Sequence, residues 1–151
     1  MSMRCAHWIS DGATNTSRPS SPTSRQREAA GIAIAAGASL VIGNHPHWVQ
    51  AVEVTDRSPL DGTSGGHGVI AYSLGNFIFD QSWSVPTTQS MVIEVGFTAD
   101  RVIGFRLRPV VIRGTSDVNR GLYRPEFVDP AVEGAPIMER VWQATDRLPA
   151  R

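Results

Sequence analysis

Ala38-Ser39-Leu40-Val41-Ile42 is a small, apolar run, β-branched at its end, that feeds straight into Gly43-Asn44-His45-Pro46-His47. Such a run reads as a short buried strand. The segment ahead of it reads as a helix. Thr23 is placed to cap that helix and Gln26 to reach back to it, a capping box. The helix is expected to run to about Ala36, with Gly37 as the C′ residue. Ala29, Ile32, Ala33 and Ala36 would be its apolar stripe, at i, i+3, i+4 and i+7. That helix would deliver the chain directly into the strand.

The tip of that strand carries the chemistry. Gly43 is expected to let the chain turn there. Pro46 fixes its own φ and biases His45 toward an extended backbone. Residues two apart in extended chain point the same way. His45 and His47 should therefore project together on a stiff support, which suits two imidazoles feeding one metal ion. The same short pattern also arises when one histidine caps a turn and the other packs beside Trp48.

Beyond the histidines the sequence turns to β patterns. Val52 to Thr55 and Val69 to Ser73 read as short strands. Asp56 to Gly68 between them is turn-rich, and His67 there reads as exposed rather than metal-binding. Met91, Ile93, Val95 and Phe97 alternate with smaller or polar residues, a half-buried strand. Ala99-Asp100 makes a turn. Ile103, Phe105 and Leu107 then face the core, with Arg106 and Arg108 outward. Pro109 marks an edge or the end of regular pairing. Arg113 to Pro130 reads as a long polar loop. A last helix starts at Pro136, at N1, with Ile137, Val141, Ala144 and Leu148 as its stripe.

At 151 residues the chain is of single-domain size, and 41% hydrophobic content suffices for a core. Zero net charge argues against a nucleic-acid or anionic-membrane surface. The 14 basic residues are all arginine, whose forked guanidinium suits carboxylates. Cys5 is the single cysteine, so no internal disulfide forms. The first ten residues lack the apolar core of a signal peptide. Ala29 to Gly43 is too short to span a bilayer. Residues 10–24 are rich in Ser, Thr, Pro, Gly and Asn, so 1–23 is expected to be poorly ordered, with the domain at 24–151.

A second motif is Tyr72-Ser73-Leu74-Gly75-Asn76-Phe77, followed by Phe79-Asp80. Together with Gly43 to His47 and Trp48-Val49-Gln50, it resembles the C-terminal half of the poly-γ-glutamate capsule synthesis (CapA-type) proteins. These belong to the calcineurin-like metallophosphoesterase superfamily. The resemblance runs from about Ser24 to about Leu148 and includes Tyr123-Arg124-Pro125. It implies a partial calcineurin-like α/β sandwich: a mixed sheet with flanking helices and a C-terminal antiparallel region.

The resemblance also implies the site. His45 and His47 fall on the family's histidine pair: metal ligands, or one ligand and one group holding a substrate oxygen, and the catalytic pair. The cofactor implied is divalent Mn, Fe or Zn. Asn44, Asn76 and Asp80 would support the site or face the substrate, although Gly75-Asn76 is also a plain turn signal and Asp80 could cap a loop. His7, followed by Trp8, matches a further metal residue of the family, but the glycine and glutamate that continue its motif are missing. The family's aspartate, Gly-Asp and Asn-His pieces are missing too, and only Asp11 and Glu28 are acidic before Gly43. The chain thus looks like half of a two-metal site, whose missing half would lie on a partner chain or an absent segment. The function implied is metal-dependent hydrolysis of a phosphoester or amide in capsule metabolism, at the cell envelope or outside the cell. A non-enzymatic module that binds the polymer or a partner subunit through arginines with Trp48 or Trp83, or an inactive fragment with an open sheet edge, are the alternatives.

Overall fold

The computed structural model describes residues 5–9, 19–57, 66–79, 81–99, 101–114 and 122–150. It is a mixed α/β structure with two sheets. In chain order the elements are β1 (Cys5–Ile9), α1 (Ser24–Ala35), β2 (Leu40–Asn44), β3 (Val52–Arg57), β4 (Gly66–Ala71), β5 (Gln89–Phe97), β6 (Val102–Arg113), β7 (Arg124–Phe127) and α2 (Ala135–Asp146). The first sheet has the order β1-β2-β4-β3, with β1, β2 and β4 parallel and β3 antiparallel to β4. The second is antiparallel, in the order β5-β6-β7.

Helix α1 starts and stops as its end signals dictate. Thr23 accepts the Gln26 backbone N–H, and Gln26 accepts the Thr23 N–H at 2.8 Å. At the other end Gly37, at φ +95°, donates to Ile34 O while Ala38 donates to Ala33 O. This is the Schellman arrangement, which glycine adopts without the Cβ penalty. The buried face is not the expected one. Gln26, Ala30 and Ile34 are buried, and Ile32 is 64% exposed. An alanine-rich helix has no strongly preferred stripe, so its partners choose. Here Gln50, fully buried, accepts from Gln26 Nε2 at 3.0 Å and pulls the Gln26 side inward. Gln50 in turn donates to Pro19 O and Ser21 O, so the buried amides are satisfied.

Helix α1 covers one face of the first sheet, with Ala30, Ile34 and Ala38 against Val41, Ile70 and Tyr72. The opposite face carries Val52, Val69 and Ala71, which meet Met91 and Leu107 of the second sheet and Ile137 and Val141 of α2. Strand β4 is thus buried on both faces over residues 68–71, which is why Gly68-Val69-Ile70-Ala71 lacks polar alternation. Full burial of a side chain such as Ile70 contributes about 1.5–3 kcal/mol. In α2 the buried residues are Ile137, Val141 and Ala144, with Leu148 packed partly against the core, as the stripe required. The helix begins one residue early, at Ala135. Thr145 Oγ1 fastens it by bonding both the N–H and the C=O of Val52 at 3.1 Å.

Several sequence expectations need correction. Cys5–Ile9 falls within the segment expected to be poorly ordered, yet it pairs in parallel with β2; long-range pairing outweighs a flanking polar stretch. Residues 10–18 lie outside the described set. Strand β4 begins at Gly66, so His67 stands on a strand rather than in a loop, exposed, with Nδ1 3.1 Å from Asp56 Oδ1. Ile103 is 64% exposed rather than core-facing, because it lies near the hairpin tip, where Thr98 N–H bonds Arg101 O. Asp100 lies outside the described residues. Pro109 sits inside the central strand β6, opposite Met91. Its carbonyl accepts from Val128 N–H, on the β7 side. A strand residue's N–H and C=O point the same way, so the missing donor faces the place where β7 pairing ends and costs the β5 ladder nothing. The expected loop from Arg113 to Pro130 contains β7.

Candidate functional site

Strand β2 does not end at Gly43. Gly43 pairs with Trp8 and Asn44 with Ile9, so the strand runs on to Asn44. The turn falls on the histidines. His45 has φ +97° and His47 φ +62°, where an extended His45 was expected. Non-glycine residues at positive φ are uncommon and cost on the order of 1–3 kcal/mol each. Part of the compensation is local: Asn44 Oδ1 accepts the His45 N–H at 2.8 Å. The two rings still meet, with centroids 5.7 Å apart and planes tilted 46°. The juxtaposition arises from a left-handed backbone, not from extension.

The second motif reaches the same place through the seam between the sheets. After β4 the chain runs antiparallel to 49–51, with Gln50 N–H on Ser73 O and Tyr72 N–H on Ala51 O. Leu74 bridges Val49 and Gly75 bridges Ser90. Gly75 is required here. Its φ is +79°, and a Cβ would lie 2.8 Å from Gln89 O. This seam sets Asn76, buried, under His47.

Asn76 Oδ1 lies 2.7 Å from His47 Nδ1. Its Nδ2 donates to Thr87 O at 2.9 Å and to Gln81 Oε1 at 3.3 Å. A backbone carbonyl can only accept, so Thr87 fixes which end of the amide faces the histidine. That end is the oxygen, so His47 Nδ1 must carry the proton. In the neutral ring Nε2 then keeps its lone pair. Phe79 stacks on the same imidazole, with centroids 5.3 Å apart and planes at 21°. His47 is therefore held in one orientation and one tautomer, as an imidazole ligand would be.

The structure brings together Asn44, His45, His47 and Asn76. His7 stands on β1 with its backbone in register with Ile42 of β2. Asp80 lies outside the described residues. Among the described residues no group of three or more His, Cys, Asp or Glu side chains converges as a metal-binding set. The fit to a metal is partial. A metal about 2 Å from each ligating nitrogen sets two imidazole centroids roughly 5–6 Å apart, compatible with the observed 5.7 Å. The described residues supply two imidazoles and no converging carboxylate, so further ligands would have to come from elsewhere. The carbonyl of Thr87 and the Phe79 ring were not legible as site groups. Phe79 sits in the quoted motif, but a main-chain carbonyl carries no sequence signal.

Residues 4–81 match the family model described as bacterial capsule synthesis protein PGA_cap. That span is more than half of the chain and takes in both motifs, and the chain belongs to this family. Over 91 residues it is 36% identical to the PGA biosynthesis protein CapA of Bacillus subtilis (strain 168), covering 60% of this chain and 21% of that protein. Over 71 residues it is 37% identical to the capsule biosynthesis protein CapA of Bacillus anthracis, covering 47% of this chain and 15% of that protein. The matched part is thus at most about a fifth of each relative's length. No described helix is long and apolar enough to cross a membrane.

Proposed function

We propose that this chain carries the His45–His47 part of a metal-dependent, hydrolase-like site on a partial calcineurin-like fold, and serves poly-γ-glutamate capsule synthesis. The observation that carries the reading is the oriented His47: Asn76 holds Nδ1, and Nε2 is left as a ligand atom beside His45. His45 and His47 would hold the ion, divalent Mn, Fe or Zn. When bound it would supply Lewis-acid polarisation of a phosphoryl or carbonyl oxygen. Asn76 positions His47, and Asn44 supports the His45 backbone. His7 would join from β1. Acidic ligands would come from a partner chain or another segment of a longer protein, since none converges among the described residues.

That same lack of a third ligand favours a second reading, in which the chain binds the polymer without metal or catalysis. Binding of poly-γ-glutamate with Mn²⁺ and with chelator separates the two. The first reading requires that chelation or His47→Ala abolish binding. Binding that survives both refutes it and leaves the module.

A further inference from the structure

We infer that Arg140 of α2, which contacts Gln89 and lies near Trp48, is a carboxylate contact. This rests on the polymer reading only for the source of the carboxylate.

Arg140 differs from the arginines on the strands of the second sheet. Arg106 and Arg108 face Glu94, while Arg113 and Arg124 face Glu126. Arg140 has two neutral neighbours: Nη1 donates to Gln89 Oε1 at 2.8 Å, and the guanidinium carbon lies 5.8 Å from the Trp48 ring centroid. No carboxylate pairs with it among the described residues. The group is partly withdrawn from water, and that burial pushes its pKa down, although a guanidinium stays protonated. A partly desolvated cation without a counter-charge is costly to keep. Gln89 takes one of its five donors, which leaves others for a ligand.

Its two neighbours belong to the segments that carry the histidine site. Trp48 follows His47 in the chain. Gln89 lies two residues after Thr87, whose carbonyl holds Asn76. Arg140 also lines an open depression of about 330 Å³ with Pro136, Glu139 and Gln143. Glu139, which accepts from Gln143 Nε2 at 2.8 Å, weakens the hold on a simple anion without preventing it. It would accept from an amide N–H. The ligand chemistry that satisfies both is an acidic polyamide, with a carboxylate on Arg140 and a chain amide on Glu139.

The test uses the full chain labelled with ¹⁵N and titrated with glutarate, then with a γ-linked glutamate decamer. A saturable shift of the Arg140 Nε–H with glutarate is expected, with no such shift at Arg106. Arg140→Gln should weaken the decamer about tenfold or more, as loss of a charge-assisted pair does, and Arg140→Lys should restore part of the affinity. No glutarate shift at Arg140, or a folded Arg140→Gln variant that binds the decamer like wild type, overturns the proposal. A glutarate shift without decamer binding by the wild type supports Arg140 as a carboxylate contact and sinks the polymer reading.

Discussion

Replacing Asn76 with alanine tests whether the His47 clamp is real. Asn76 is only 6% exposed and makes three side-chain hydrogen bonds. Their losses are unequal. His47 is only half-buried and can turn its Nδ1–H to water, and the 3.3 Å bond to Gln81 is long. The Thr87 carbonyl is in a buried bond and loses its donor, a loss that costs about 1–3 kcal/mol. The expected destabilisation is therefore about 2 kcal/mol, a sizeable share of the roughly 5–15 kcal/mol that holds a domain. For a chain of this length that lowers Tm by about 4–8 °C. Thermal unfolding followed by circular dichroism reads the first effect. ¹⁵N NMR of the imidazole reads the second: neutral His47 protonated at Nδ1 in the wild type, and a mixture of tautomers in Asn76→Ala. A wild-type ring protonated at Nε2, or a variant that melts within a degree of wild type, refutes the reasoning.

Other perturbations follow from named contacts. Thr23→Ala removes the cap of α1 and should cost about 1 kcal/mol by urea unfolding. Gly75→Ala forces a Cβ onto φ +79° and to 2.8 Å from Gln89 O; a loss of about 2 kcal/mol or more is expected, and near-neutral behaviour would show that the seam is not tight. Thr145→Val strands the Val52 N–H and should cost about 1–3 kcal/mol, with faster amide exchange at Val52. Hydrogen bonds from Arg113, and then from Arg124, lower the Glu126 carboxyl below its ordinary 4.5. Arg113 lowers Glu133 likewise. Both folded pKa values are depressed, so the stabilisation is present above about pH 4.5 and is lost as pH falls through the lower folded values. Unfolding of Glu126→Gln/Glu133→Gln against wild type should show a gap at neutral pH that closes in acid and shrinks in salt. A gap that widens in acid would reverse the sign of the argument.

The parts of the fold legible in the sequence are those set by neighbours in the chain. Thr23 and Gln26 form their box and Gly37 ends α1, because cap chemistry needs only a few adjacent residues. The stripe of α2 was readable because Ile137, Val141 and Ala144 stand against charged and polar neighbours. In α1 the contrast is missing, and the buried face is chosen by Gln50, 24 positions from Gln26. Strands β1 and β7 were hidden because their order comes from β2 and β6. For the site, His45, His47 and Asn76 could be singled out from their motifs, and the structure brings them together. The backbone that does so could not be read. The pull of Pro46 toward extension at His45 is overridden by the parallel pairing that carries β2 to Asn44 and leaves the turn to the histidines. Arg140 gave no signal, because an arginine next to an apolar stripe normally reads as solvated.

We propose that His47, oriented by Asn76, holds a metal together with His45. Elemental analysis of purified wild type and of His45→Ala/His47→Ala, each checked for folding, tests it most directly. About one Mn, Fe or Zn per wild-type chain, bound through imidazole nitrogen, is expected, with its loss from the double variant. A folded wild type without metal, or a double variant that keeps it, contradicts the account.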